Sequence, residues 1–373
     1  MTATVESPAR VRWHELTVAA VEPLTDDAVA VTVDVPPELA GDFAFAPGQH
    51  LTLRREVEGQ DLRRSYSICV TPVWAAAHRQ LRVGIKHLPG GAFSTWVLES
   101  LRPGDRLELM APQGHFTCGS DGSVRSPTGR HHVAVAAGSG ITPVLSLLAS
   151  ALESEPDSRA TLLYGNRRTA SVMFLEELED LKNRYPARFQ LVHVLSREPQ
   201  DAELLSGRLD PVRLGRIIDA MVPLATVDEW YLCGPFELVM GARDLLVGRG
   251  ADPGHVHLEL FHVGDEPPPA RSDEEVAADA AAATVTVNLD GRTTTVDMPT
   301  RAETILAATL RARPDAPFAC TGGVCGTCRA RLVSGEVRMD RNYALEPEEL
   351  TRGLVLACQS HPVSDQVELD YDV

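Results

Sequence analysis

Over the first third of the chain, apolar and polar positions alternate in short runs. Glu15 to Val21, Ala28 to Val33, His50 to Arg54 and Leu81 to Ile85 follow the two-residue period of half-buried strands, with Pro and Gly between them. Residues 1–125 are therefore expected to form an antiparallel β-barrel. The pattern then changes. Apolar runs at His132 to Ala137, Thr161 to Tyr164, Phe189 to Leu195, Glu229 to Cys233 and His255 to Leu260 alternate with helical spacing at Ile141 to Leu152, Ser171 to Asn183, Pro211 to Ala220 and Phe236 to Val247. Strands alternating with helices predict an α/β, doubly wound parallel-sheet domain over residues 126–264.

The period of two returns at Thr284 to Leu289 and Arg292 to Met298, separated by the turn dipeptide Asp290-Gly291, which predicts a β-hairpin. Thr300-Arg301-Ala302-Glu303 has the form of a capping box ahead of Ile305, Leu306 and Leu310, and the helix should stop before Pro314. Residues 265–283 mix proline, acids and alanine and bury no core, so they are expected to be a flexible linker. As a coil it would span roughly 20–25 Å, enough for the domain at 284–373 to swing.

The chain has 373 residues, which predicts two or three domains. Its net charge of −17, with no basic stripe, argues against nucleic-acid binding. Met1 to Arg10 lacks the positive and apolar regions of a signal peptide. Val133 to Leu152 is the most apolar stretch, but Gly138, Gly140 and Pro143 interrupt it, and a strand, turn and helix explain it better than a membrane span. Seven cysteines without an export signal predict the reducing cytoplasm.

Four of those cysteines carry the clearest chemistry. Cys320, Cys325 and Cys328 are spaced C-x4-C-x2-C, and Cys358 follows, which is the spacing of a plant-type [2Fe–2S] cluster. Gly322, Gly323 and Gly326 suit a tight loop that brings N–H groups to the sulfurs. A structural zinc would be expected to show a second short knuckle, and a disulfide pair would need an oxidising compartment. Hairpin, helix and cysteine loop come in the order of an α+β, β-grasp ferredoxin domain.

Two further motifs lie upstream. Gly138-Ser139-Gly140-Ile141-Thr142-Pro143 falls between a predicted strand and helix, where bare N–H groups and the positive helix end can meet a pyrophosphate. It is not the full dinucleotide fingerprint, and such a turn is as often only a tight connection. Arg64-Ser65-Tyr66-Ser67 ends a strand, and Gly90-Gly91 with Ser94 opens a helix. A cation for a diphosphate, a ring for a flat heterocycle and a hydroxyl for its heteroatoms are what flavin binding requires.

Taken in order with Cys233-Gly234-Pro235, these motifs make the chain resemble the ferredoxin–NADP reductase superfamily, joined to a C-terminal plant-type ferredoxin domain. Within it, Pro47 to His50, Leu62 to Cys69 and Asn342 to Leu350 resemble the reductase subunits of phenylacetyl-CoA epoxidase complexes; reductases of ring-hydroxylating and steroid oxygenases share the three domains. The resemblance implies FAD, a [2Fe–2S] cluster and NADPH as cofactors, and oxygenase components as partners. It implies that Arg64 holds the FAD diphosphate, Tyr66 lies against the isoalloxazine, and Ser67 bonds near its reactive nitrogen. Gly90, Gly91 and Ser94 would contact the diphosphate, with Lys86 a further candidate. Gly138, Gly140, Thr142, Pro143, Cys233, Gly234 and Pro235 would hold the nucleotide, with Thr142 and Cys233 flanking the nicotinamide. Phe261 would cover the flavin face or sit in the core. Cys320, Cys325, Cys328 and Cys358 would ligate iron.

Coenzyme choice is open to a physical argument. Arg167, Arg168, Ser196 and Arg197 end two predicted strands where a 2′-phosphate would need cations, which favours NADPH over NADH unless they are only solvated loop ends. The chain then reads as a converter of hydride pairs to single electrons for a multicomponent oxygenase. A redox-sensing module is the reading from another class.

Overall fold

A computed structural model describes residues 12–57, 59–117, 129–261, 272 and 279–373. In the N-terminal part, β1 (Trp13–Thr25), β2 (Ala28–Asp34), β3 (His50–Val57), β4 (Gln60–Ser67), β5 (Gln80–Lys86) and β6 (Arg106–Met110) form a six-stranded sheet in the order β4-β3-β6-β1-β2-β5. Its two edges meet. Ile68, directly after β4, bridges antiparallel to Val83 of β5, and the Cys69 amide donates to the Arg82 carbonyl at 3.0 Å. That closure makes the expected barrel and leaves few strand edges bare. Helices α1 (Pro72–His78) and α2 (Ala92–Ser100) flank β5 in the chain.

The next elements are β7 (His131–Ala137), α3 (Ile141–Ser154), β8 (Arg159–Asn166), α4 (Leu175–Arg184), β9 (Phe189–Leu195), α5 (Pro211–Met221), β10 (Glu229–Gly234), α6 (Phe236–Gly248) and β11 (Val256–Leu260). The five strands are parallel in the order β11-β10-β7-β8-β9. The chain runs outward from β7 to β9 and then returns to β10. The switch in direction lies between β7 and β10, where open α/β sheets bind ligands beyond the strand ends. The helix expected from Ser171 starts instead at Leu175, because Phe174 takes a left-handed conformation (φ 58°) after a 3-10 turn over Thr169–Ser171.

Barrel and parallel sheet share a core. α3 is apolar nearly all round and buried on nearly every side, so it needs cover from two directions. Ala28, Ala30, Cys69 and Phe116 from the barrel segment join α3, β7 and β8 in one apolar cluster. His14–Phe261 accordingly forms one compact unit, and His262–Val373 belongs to a second.

In the second unit, β12 (Ala283–Leu289), β13 (Arg292–Met298), α7 (Ile305–Ala312), β14 (Arg329–Ser334), β15 (Val337–Met339), α8 (Pro347–Thr351), β16 (Leu354–Leu356), β17 (Ser360–Pro362) and β18 (Gln366–Asp370) give a five-stranded sheet ordered β13-β12-β18-β14-β16, plus the pair β15-β17. β12 pairs antiparallel with β13 and parallel with β18, and α7 buries Ile305, Leu306, Ala308 and Thr309. This is the β-grasp expected.

Two local expectations need correction. The cap of α7 is Thr304, whose Oγ1 accepts from the Ala307 amide at 3.3 Å. Thr300 instead donates its hydroxyl to the Asp279 carbonyl, and Glu303 pairs with Arg311. The linker also ends sooner than Ala283, which already belongs to β12. Asp279 is buried, its carboxylate lies 3.4 Å from Arg338 Nη1, and its carbonyl takes the Arg301 amide at 2.9 Å, so residues 279–283 are part of the folded unit. Residues 265–271 and 273–278 of the expected linker lie outside the described residues. No described helix is long and apolar enough to cross a membrane.

Candidate functional site

At the switch point two turns touch. The β7–α3 turn runs through Gly138, Ser139 and Gly140, and a Cβ on Gly140 would stand 2.1 Å from the Cys233 carbonyl oxygen, so no larger residue fits without moving β10. Gly138 has φ 55° with open space where a Cβ would be, while the Tyr164 hydroxyl donates to its carbonyl at 2.8 Å and holds the turn down. Gly234 packs on Ala137, Pro235 precedes α6, and Pro143 is buried in the first turn of α3. These turns leave the N-terminal amides of α3, which has no side-chain cap, directed past the strand ends.

β11 brings a residue that sequence reasoning missed. Parallel pairing sets Glu259 beside Cys233, and one Glu259 oxygen lies 3.2 Å from Ser67 Oγ and 3.9 Å from Cys233 Sγ. A carboxylate thus joins the barrel hydroxyl to the thiol of the parallel sheet. Cys233 is fully buried, and burial together with the Glu259 charge pushes its thiol well above the usual range. The thiol is therefore neutral at physiological pH.

On the barrel side, Tyr66 is half-buried with its ring 5.8 Å from that of Phe93. Arg64 is exposed within β4, makes no ion pair among the described residues and donates to the Arg63 carbonyl at 2.7 Å; its neighbour Arg63 is buried on Asp61 at 2.8 Å. Gly90 has φ 77° with open space, and Gly91 precedes α2. Ser94 closes this loop rather than facing outward: it is buried, accepts from the Leu88 amide at 3.0 Å and donates to the Gly91 carbonyl at 3.1 Å. Thr142 behaves likewise. Its hydroxyl donates to the Ser139 carbonyl at 3.0 Å, and its methyl group packs where a side chain on Gly84 would be. Phe261 follows β11 and is exposed.

The arginine loops after β8 and β9 lie side by side, with the Ser196 amide on the Asn166 carbonyl at 3.0 Å and the Arg197 amide on the Arg167 carbonyl at 2.8 Å. Arg168 and Arg197 are exposed. Arg167 and Lys86 both pair with Asp27, at 2.8 and 3.2 Å. Glu198, next to Arg197, accepts from the Thr169 amide and hydroxyl at 2.9 and 2.8 Å.

The four cysteines of the second unit come together as free thiols, Cys328 and Cys358 buried and Cys320 and Cys325 half-buried. They sit as two pairs. Cys320 hydrogen-bonds with Cys325 and Cys328 with Cys358, and these neighbours, with burial, push the Cys320 and Cys328 thiols above the usual range. Among the described residues no three His, Cys, Asp or Glu side chains converge on a point that could hold one ion. Two pairs of soft ligands fit a binuclear cluster better than a single tetrahedral zinc. The loop is shaped by Thr321 (φ 51°), Gly323 (φ 78°) and Gly326 (φ 69°). Gly322 has no positive φ, and its amide points at Cys320 Sγ at 3.4 Å. Gln359, next to Cys358, ties its turn to the loop, donating to the Thr321 carbonyl at 2.9 Å.

Residues 15–118 match the oxidoreductase FAD-binding domain family, 134–244 the oxidoreductase NAD-binding domain family and 287–363 the 2Fe-2S iron-sulfur cluster binding domain family. The chain is 41% identical over 360 residues to a component of the 1,2-phenylacetyl-CoA epoxidase of Escherichia coli (strain K12), covering 96% of this chain and 98% of that protein. The chain belongs to the reductase components of multicomponent oxygenases. The reductase is also 36% identical over 365 residues to the ferredoxin reductase component of 3-ketosteroid-9-alpha-monooxygenase of Mycobacterium tuberculosis (strain CDC 1551 / Oshkosh), covering 96% of each. In fold it is similar to phthalate dioxygenase reductase, with a TM-score of 0.57 and 23% identity over 96% of this chain and 98% of that one.

Proposed function

We propose that this reductase draws electrons from NADPH and delivers them to the oxygenase of a phenylacetyl-CoA epoxidase system. When bound, FAD would supply the conversion of a hydride's two electrons to single ones, and a [2Fe–2S] cluster on the four cysteines would supply one-electron transfer. The observation that carries the redox reading is the Glu259 carboxylate linking Ser67 to Cys233, because it aligns a flavin-side hydroxyl with the sulfur at the nucleotide turn. The chain's residues would orient and exclude water there. Ser67 and buried Cys233 bracket the transfer position, Glu259 fixes both, and Gly140 lets the two turns close.

Arg64 would be the cation for the FAD diphosphate, and Gly90, Gly91 and the uncapped start of α2 would offer it amides. Ser94 and Thr142 act through turn shape. Cys320 with Cys325, and Cys328 with Cys358, would each hold one iron. NADPH is favoured over NADH because Glu198 is engaged by Thr169, whereas Arg197 and Arg168 are exposed. Arg197→Ala should raise KM for NADPH several-fold more than KM for NADH, and equal effects would remove Arg197 from phosphate recognition.

The partner and substrate rest on the likeness to the epoxidase component, and the cytoplasm is the compartment that suits six described free thiols. The test is NADPH-driven epoxidation of phenylacetyl-CoA by separately purified oxygenase components, with and without this chain. Product that tracks NADPH supports the reading. NADPH oxidation without product moves the partner to a steroid or ring-hydroxylating oxygenase, the second reading favoured by the mycobacterial relative.

A further inference from the structure

We propose that Asp27 sets how strongly the nucleotide's 2′-phosphate is held, by occupying the Arg167 guanidinium as an internal stand-in for that anion. The inference rests on the reading that the 2′-phosphate binds at the ends of β8 and β9. Asp27 lies in the β1–β2 turn of the barrel, and Arg167 follows β8 in the parallel sheet, so the 2.8 Å ion pair between them spans the two halves of the first unit. The other Asp27 oxygen takes the Thr25 hydroxyl at 2.9 Å and Lys86 Nζ at 3.2 Å. Lys86 comes to that place by sheet register, since it pairs with Ala28, the residue after the aspartate. A single carboxylate therefore pairs with two cations.

Arg167 is poised for a phosphate apart from this pairing. Its carbonyl accepts the Arg197 amide, so the two arginines leave adjacent backbone positions. The side chain is 50% exposed and Asp27 32%, so water and an incoming dianion can reach the pair. An ion pair so placed is weak, and a phosphate carrying more charge than a carboxylate can compete for the guanidinium. With Asp27 present, most of what Arg167 gives the phosphate is offset by the bond it must leave. Asp27 is thereby a specificity-determining residue that holds discrimination between NADPH and NADH below what three arginines could supply.

The test is titration of NADP⁺ and NAD⁺ onto the full-length, FAD-loaded chain, followed by flavin difference spectra. Asp27→Asn keeps an oxygen for the Thr25 hydroxyl and should tighten NADP⁺ roughly two- to fivefold, the scale of an exposed ion pair, with NAD⁺ unchanged. Adding Arg167→Gln should cancel that gain, which a purely structural role for Asp27 would not predict. Equal changes for both nucleotides, or a gain that survives Arg167→Gln, would overturn the proposal. Should Asp27→Asn fail to retain FAD, Arg167→Gln alone decides: it should alter NADP⁺ affinity less than about twofold, and a tenfold loss would mean that Asp27 does not occupy it. Arg197→Ala, run alongside, separates the two readings. If it leaves the NADP⁺ to NAD⁺ ratio untouched, the placement of the 2′-phosphate has failed; if that ratio falls while Asp27→Asn changes nothing, only the role of Asp27 has.

Discussion

Gly140→Ala is a single-methyl test of the cleft. Gly140 has ordinary helical dihedrals (φ −60°, ψ −9°), so alanine is conformationally allowed and only space is at issue. The added carbon would lie 2.1 Å from the Cys233 oxygen, 2.5 Å from its carbonyl carbon and 2.9 Å from the Gly234 nitrogen. All three are backbone atoms in paired strands and cannot swing aside. Restoring van der Waals contact requires the β7–α3 turn and the end of β10 to part by about 1 Å. Overpacking of this kind costs about 1–3 kcal/mol, and a shift of about 1 Å at a reacting centre can cost about 100-fold in rate. We expect FAD to be retained, since Arg64 and α2 are untouched, while bleaching of the flavin by NADPH in rapid mixing slows about 100-fold. Gly250→Ala is the control. Gly250 has φ 95° and open space beyond it, so alanine there brings backbone strain of about 1–2 kcal/mol remote from the cleft. Equal slowing in both variants, or none in Gly140→Ala, would refute the argument that turn closure positions Cys233.

Three further outcomes follow from the geometry. Cys325→Ser should abolish cytochrome c reduction while NADPH still bleaches the flavin, and unchanged cytochrome c reduction would remove the cluster from the electron path. Glu259→Gln keeps shape but loses a charged hydrogen bond worth about 1.5–3 kcal/mol, so flavin reduction should slow at least about tenfold with FAD content normal; an unchanged rate would make the Ser67–Glu259–Cys233 contact incidental. His131 is held down to about 4, chiefly by burial, with the nearby Arg159 charge adding. Its folded value lies below its unfolded one near 6.5, so the stability it contributes is complete above about 6.5 and is lost as pH falls towards 4. The urea midpoint should drop across that window in the native chain and drop less in His131→Asn, and parallel curves would reject the assignment.

The elements were legible because each has a strong local period. The Thr284–Met298 hairpin and the buried runs of the parallel sheet could be read from alternation and length alone, and the cysteine spacing named its own chemistry. What escaped depends on pairing between distant strands. Glu259 is one residue of a short alternating strand, and only the parallel register of β10 with β11 sets it beside Cys233 and across from Ser67. Asp27 looks like an ordinary turn acid until β5 and the β8 loop bring Lys86 and Arg167 to it. The cap at Thr304 was misplaced for a smaller reason: two threonines four residues apart both suit a helix start, and the buried linker end at Asp279 claims the first.

The motif hydroxyls show why a motif names a place more safely than a contact. The hydroxyls of Ser94 and Thr142 each close their own loop by donating to a backbone carbonyl three residues back. Gly140 has no room for a side chain and lets two backbones approach. These residue types fix where amides at the starts of α2 and α3 point, and unpaired amides at a helix start are what a phosphate meets. Substituting the hydroxyls should therefore weaken binding through loop disorder, whereas substituting Arg64, whose side chain has no ion pair among the described residues, should weaken it through charge and respond to salt. A steep salt dependence of FAD retention in the native chain that is absent from Arg64→Gln, yet preserved in Ser94→Ala, would separate the two kinds of motif residue.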